Sequence, residues 1–375
     1  MLPLYEHGNL APAKYDHNAG FNTGLWYDKF YNKWFTKTGK NSGVEWALED
    51  RGKWEWVKEL DGRTVGDPGL LAEAVERMVF LAFSGQGDIR CLATDWRFVT
   101  GLGREHQVEN GFVWHHPLGV PYLPGSTVKG VVRAWTETLD NVTDAIKRIF
   151  GPEGESVEKM AGSVIFFDAL PVDTVKVQAD VITSHYDPYY KNSDKGNGTK
   201  REPPADWFNP IPIPFLTVAP GQVFLFAIAP RRPGIEEDRQ DCKRVLGWME
   251  EALSFMGAGA KTAAGYGRFS RRQALEVRWQ EKWEQHLAQA NRALMGPIRL
   301  AMEEEGYSCE PEKFMQALTT RWIRQMLDEK ADPRERQEIA TLLAAWYQSH
   351  RPDQWHKPNK KNTPKIEAIK RILGM

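Results

Sequence analysis

Cysteine is scarce in this 375-residue chain: Cys91, Cys242 and Cys309 are far apart and odd in number. That excludes a disulfide scaffold and a CxxC metal site, and it fits a reducing cytoplasm. Long apolar runs are missing as well. No stretch approaches the ~18 residues that would cross a membrane, and no apolar h-region follows Met1, so neither a span nor a signal peptide is expected. The net charge of −1 leaves no global signature. Any nucleic-acid surface must be a local basic patch, balanced by acidic surface elsewhere. A Gly-x-Ser-x-Gly elbow, a catalytic carboxylate pair and a Cys–His set are also absent. The expectation is therefore a protein that is not an enzyme and carries no cofactor or metal.

Tryptophan, by contrast, is plentiful. Of fifteen, Trp26, Trp34, Trp46, Trp54 and Trp56 crowd the first sixty residues, as core or as partner contacts. Residues 1–88 read as a helical, aromatic segment packed on the core, with short helices around 25–36 and 44–60 and a buried helix over Leu70–Phe83. From Ile89 to Leu102 the texture is that of a strand, and a helix at 126–140 follows a Gly- and His-rich loop. Strands then occupy Gly162–Leu170 and Thr174–Thr183, and 184–210 is a long loop. Ile211–Ile228 reads as a hairpin turning at Pro220-Gly221. A helix covers 238–256, and a short strand runs through Phe269. The order strand, helix, strand, strand, helix, strand over 89–273 predicts an α+β, ferredoxin-like domain with insertions. Residues 274–375 form a helical extension. Its end, from Trp355, has six Lys or Arg against one Glu and reads as a solvated or partner-facing tail.

Two segments carry the chemistry. In Pro121–Arg133 (PYLPGSTVKGVVR) a Pro124-Gly125 turn enters a helix with Ser126 as expected N-cap. Val128, Val131, Val132, Trp135 and Leu139 make its apolar face. Lys129 and Arg133, four residues apart, repel by a few tenths of a kcal/mol, roughly, unless an anion lies between them. With the positive helix end beside Ser126 and Thr127, this reads as a phosphate clamp.

The second segment, Gly257–Gly267 (GAGAKTAAGYG), has four glycines and four alanines in eleven residues. Either the loop packs tightly on its own core, or a nucleic acid or a subunit approaches Gly257 and Gly259 closely. Lys261, Thr262 and Arg268 supply polar and positive groups, and Tyr266 a stacking ring. A P-loop ending at Lys261-Thr262 would need glycine at 255 and 260, where Phe255 and Ala260 stand.

Weaker candidates flank these. His115-His116 lack companions at ligand spacing and read as loop packing or RNA contact. Asp168, at a strand end, is a turn cap or a metal ligand. His185 and Tyr186, leaving a strand, stack on unpaired bases, fold over the sheet or, for His185, act as a general base in RNA cleavage.

Together these motifs resemble the RAMP superfamily of CRISPR effector proteins. Pro121–Arg133 is similar to its PY(I/L)PGSS-x-KGV-x-R motif, with Thr127 for the second Ser. Gly257–Gly267 resembles its C-terminal glycine-rich loop. Thr23–Phe30 (TGLWYDKF), Val164–Ala169 (VIFFDA), Asp180–Tyr190 (DVITSHYDPYY) and Asn209–Val218 (NPIPIPFLTV) resemble, in this order, the sixth-subunit family of the type III-B Cmr complex. The resemblance covers about 20–270. It implies a ferredoxin-like RAMP fold and an antiviral, non-catalytic role at the end of a backbone filament, holding guide RNA and its duplex with target RNA. The implied partners are other Cmr RAMP subunits, among them the backbone nuclease subunit, the small helical subunit and the first Cmr subunit. Ser126, Thr127, Lys129, Arg133, His185, Tyr186, Gly257, Gly259, Lys261, Thr262, Tyr266 and Arg268 are the expected RNA contacts. Two other readings stand beside this one: a guide-precursor endoribonuclease using His185, and a docking module whose glycine loop meets a neighbouring subunit.

Overall fold

The computed structural model describes residues 22–38, 44–139, 143–152, 161–184, 207 and 209–375. They fall into two compact units, Met1–Glu281 and Lys282–Met375.

In the first unit α1 (Thr23–Lys29) is capped by Asn22, whose Oδ1 accepts from the Leu25 amide at 2.9 Å. The expected helices around 25–36 and 44–60 are corrected here. Trp34–Thr38 (β1) and Val44–Leu48 (β2) pair antiparallel, and only Asp50–Lys58 (α2) continues as helix. The aromatic and β-branched residues of WFTKT and VEWAL suit a pleated surface better than a helix. After β3 (Thr64–Val65) comes α3 (Pro68–Ser84), the buried helix the periodicity predicts. Asp67 caps it from outside, accepting from the Leu70 amide at 2.9 Å, and Pro68 sits at the first turn where its missing N–H costs nothing.

The central sheet is built from β4 (Asp88–Thr94), β7 (Val164–Phe166), β8 (Leu170–Pro171), β11 (Val223–Pro230) and β12 (Phe269–Arg271). Before β7 the chain forms the short pair β5 (Trp114–His115) and β6 (Val120–Pro121), then α4 (Gly125–Thr136) and α5 (Thr143–Phe150). The sheet order is β12-β4-β11-β7, with β8 also on β11 and every pair antiparallel. With α4 after β4 and α6 (Glu236–Phe255) after β11, this is the ferredoxin-like arrangement. Strand alternation splits the core between the two faces. Ile89, Cys91, Leu225 and Ala227 pack with Val75, Val79 and Ala82 of α3. Leu92, Phe224, Phe226 and Ile228 pack with Val128 and Val132 of α4 and Val245, Met249 and Leu253 of α6.

β9 (Val175–Ser184) and β10 (Ile211–Val218) lie outside this sheet. The hairpin expected over 211–228 does not form: β10 pairs with β9 from Ile211↔Ser184 to Val218↔Val177, and β3 takes the other edge. The Pro220-Gly221 turn instead moves the chain between sheets, and the Gly221 amide donates to the Thr94 carbonyl at 2.7 Å. A turn signal between two apolar runs does not say which strands will pair.

α7 (Gln273–Leu294) leads into the second unit, with α8 (Pro297–Glu304), α9 (Pro311–Ala317), a wider π-type turn at Leu318–Trp322, α10 (Ile323–Leu327), α11 (Pro333–His350), α12 (Pro352–His356) and α13 (Thr363–Leu373). This unit has its own core of Phe314, Trp322, Met326, Leu343, Trp346 and Tyr347. The expectation of a solvated or partner-facing tail from Trp355 is revised in its first part, because Trp355, Ile366 and Ile369 are buried in that core. The cations of the segment occupy what remains outside, and the Lys370 ammonium lies 5.0 Å from the centre of the Trp355 ring. Among the described residues no helix is long and apolar enough to cross a membrane.

Candidate nucleic-acid interface

The start of α4 differs from its sequence reading in one decisive contact. Ser126 is not the N-cap. The cap position is Pro124, and the Gly125 amide donates to Asp168 Oδ1 at 2.6 Å. The Thr127 and Val128 amides both donate to the Pro124 carbonyl, at 2.8 and 3.1 Å. Asp168 therefore closes the α4 N-terminus from across the fold instead of capping its own turn. An internal carboxylate already occupies the place where helix amides and dipole would draw a phosphate. Asp168→Ala should cost about 1 kcal/mol of stability, the usual effect of losing a capping acceptor. Thermal denaturation measures it, and Asp168→Asn should retain most of the cap.

The cations lie one turn farther on. Lys129 is half-buried, and its pKa is lowered first by burial and then by the neighbouring charges of Arg133 and Arg231. Arg231, exposed with Arg232 between the buried Pro230 and the half-buried Pro233, escaped the sequence reading. Two arginines bracketed by prolines at a strand end were the signal available. Arg133 Nε donates to Glu137 Oε1 at 3.1 Å. The clamp is therefore a three-cation cluster in which one member is partly neutralised within the chain. Ser126 is exposed and Thr127 half-buried at its edge.

The glycine-rich loop follows α6, and its bareness has an internal cause. A Cβ at Gly267 would collide with the Ala258 carbonyl, and one at Gly259 with the Val99 carbonyl and, at 2.9 Å, with Phe98 Cε2. Both residues have positive φ, +71° and +86°. The Ala260 amide donates to Val99 O and the Gly267 amide to Arg97 O, each at 2.9 Å. A Cβ at Gly257 would meet Gly267 O at 2.8 Å. The close approach inferred from composition is thus made by the chain itself, through residues 97–99. The exposed part of the loop is narrower: Gly259, Ala263 and Ala264, with Lys261 and Thr262 half-buried.

Lys261 sits 5.6 Å from the centre of the buried Phe215 ring. Tyr266 donates its hydroxyl to Asp180 Oδ2 at 2.6 Å, and Arg97 Nη1 lies 2.5 Å from the same oxygen. The Tyr266 phenol is pushed up to about 12 by burial and by the Asp180 carboxylate. For Asp180, burial alone would raise the pKa, but the hydrogen bonds from Tyr266 and Arg97 outweigh it and hold it low. This triad fixes the loop to β9. Arg268 is exposed, and its backbone carbonyl accepts from the Asp95 amide at 2.9 Å. Trp135 links α4 to the loop region, stacking on Phe255 at 5.7 Å and donating to Glu251 Oε2 at 3.0 Å.

His185 and Tyr186 lie outside the described residues. His115 meets the Tyr122 ring edge-on at 5.3 Å, whereas His116 Nε2 lies 3.6 Å from Asp28 Oδ2. Adjacent histidines thus serve different neighbours. His106, which the sequence reading passed over, is buried, stacks on Tyr27 at 4.6 Å and has its pKa lowered to about 4, mainly by burial.

A family model, the RAMP superfamily, matches residues 65–270, a span that begins at β3 and ends in β12. This chain belongs to the RAMP superfamily. Within it, the chain is 31% identical to the CRISPR system Cmr subunit Cmr6 of Pyrococcus furiosus, over 47% of this chain and 65% of that protein. It is also 31% identical to the CRISPR system CMR subunit Cmr6 of Saccharolobus solfataricus, over 43% of this chain and 48% of that one. The match spans about half to two thirds of these relatives' length. Among solved structures, a chain of the type III-B Cmr-beta complex bound to cognate target RNA is 27% identical, covering 59% of this chain and 71% of that one, with a TM-score of 0.46. Crystalline Cmr6 of Pyrococcus furiosus is 27% identical over 50% of this chain and 97% of that one, with a TM-score of 0.29. The RAMP match embraces α4, Asp168, the Lys129 cluster and the glycine-rich loop. It excludes α1, α2 and the helical unit from Lys282.

Proposed function

We propose that this RAMP protein is a structural, RNA-binding subunit of a Cmr-type CRISPR ribonucleoprotein. In this reading it holds guide RNA, and the guide–target duplex, at the end of the complex's backbone filament. The observation that carries the proposal is the cluster of Lys129, Arg133 and Arg231. Lys129 is partly desolvated beside two like charges, an arrangement that an added anion stabilises. A phosphate backbone supplies that anion without regard to base identity, so base pairing with the guide would do the sequence reading. The 31% identity to two Cmr6 subunits supports this choice of complex, and the partners would be other Cmr subunits: the backbone nuclease subunit, the small helical subunit and the first Cmr subunit.

Co-expression with those subunits tests it. This chain should co-purify in a stoichiometric particle that also contains RNA, and the purified chain should leave a repeat-containing RNA uncut in EDTA. Cleavage abolished by His185→Ala would replace the proposal with a guide-processing ribonuclease. A docking-only module would give a particle whose RNA content is unchanged in Lys129→Ala/Arg133→Ala. Gly259→Trp is a poor probe of docking, because it would break the loop's own packing against Val99.

A further inference from the structure

Between α2, which lies outside the family match, and the outer edge of β9, which lies within it, runs a groove of about 740 Å³, within the range of small-ligand sites. Arg51, Trp54, Glu55 and Lys58 fall at i, i+3, i+4 and i+7, so one stripe of α2 lines it. The opposite stripe is locked in the core: Trp56 and Val57 are buried, and Trp56 stacks on Trp26 at 3.9 Å. Trp54 is thus a 40% exposed aromatic face on a rigid helix. Across the groove stand Ala179, Asp180 and Val181 of β9, with Arg97 and Asp61.

Two observations narrow the occupant. First, the strand edge is closed. The Ala179 amide donates to Asp61 Oδ1 at 2.9 Å and the Val181 amide to Asp180 Oδ1 at 2.8 Å, so no donor is left there for an added peptide strand. Second, the groove's charges balance. Arg51, Lys58 and Arg97 face Glu55, Asp61 and Asp180, with Arg51–Glu55 at 3.2 Å and Arg97–Asp180 at 2.5 Å. A run of phosphates would meet as many carboxylates as cations. A neutral, planar group with donors and acceptors along its edge suits an open indole between mixed polar groups.

We infer that this groove takes an unpaired nucleobase of single-stranded RNA, stacked on Trp54, with Lys58 beside the flanking phosphate. The inference rests on the RNA-binding reading and adds to it a base-holding site that includes no residue of the Lys129 cluster and shares Asp180 and Arg97 with the anchor of the glycine-rich loop. Because stacking needs an accessible base face, the site discriminates single strands from duplex.

The test is binding of a short fluorescein-labelled single-stranded RNA, and of the same sequence as blunt duplex, to the full chain and its variants. Trp54→Ala should weaken single-strand binding by about tenfold or more, leave the salt slope and the duplex affinity unchanged, and melt like the parent. Trp54→Phe should retain most of the affinity. Unchanged single-strand binding in Trp54→Ala, with Lys129→Ala/Arg133→Ala weakened, overturns the groove and leaves the proposed function standing. Loss of a co-purifying subunit in Trp54→Ala, with RNA affinity intact, overturns it in favour of a protein occupant. A parent chain that binds neither RNA removes the functional reading and the groove with it.

Discussion

Gly267→Ala should lower the melting temperature of the RAMP unit by about 5–15 °C, from roughly 2–5 kcal/mol of combined backbone strain and overpacking. The added methyl enters the space of the Ala258 carbonyl, and the backbone at φ +71° disfavours any Cβ. The collision partner is backbone, held by the Ala258 amide donating to Gly267 O at 2.8 Å, so no side chain can swing aside. Gly265 is the control. Its φ is +89°, but nothing lies within 4 Å of a Cβ there. Gly265→Ala should therefore cost only the strain, about 1–2 kcal/mol. Differential scanning calorimetry separates the two, and equal melting points would show that the loop does not pack on itself as described.

The second large effect is on binding. Changing Lys129 and Arg133 together to alanine should weaken RNA binding by tenfold or more at low salt and make log K against log salt shallower by about 1.4, two phosphates at ~0.7 each for a single strand. The single variants should be unequal. Arg133 already meets Glu137, whereas Lys129 sits partly buried between like charges. Lys129→Ala should therefore cost more than Arg133→Ala, and Glu137→Gln should tighten binding by freeing Arg133. The pH dependence has a definite sign. The lowered pKa of Lys129 means that it loses its proton at a lower pH than an ordinary lysine. Affinity should fall as alkaline pH is approached, and earlier than in a variant lacking Arg231. Fluorescence anisotropy across salt and pH reads all of these.

The sequence carried the sheet-and-helix order of the RAMP unit because periodicity and caps are local. The apolar spacing in α3 and α6 and the apolar run of β11 each need only a few neighbouring residues. It also carried the two motifs at the site, as a helix start with two cations and as a glycine-rich loop. What each motif does was not legible. Ser126 looks like a cap because its type favours that position, but the acceptor is Asp168, forty-three residues from the Gly125 amide it caps. The glycines look like a ligand cradle, yet the atoms that need the space belong to residues 97–99 and 258.

The same division holds for the whole chain. Local period by itself determined the fold class, the resemblance of its motifs pointed to the family, and residue type placed Lys129, Arg133, Lys261 and Tyr266 within those motifs. Only the tertiary structure decided that β10 pairs with β9, that Arg231 joins the cation cluster, that Tyr266 is tied to Asp180 and Arg97, and that Trp54 faces a groove. Each of these is a contact between distant segments, set by sheet register and by which face of a helix the core claims. No local pattern encodes such a contact.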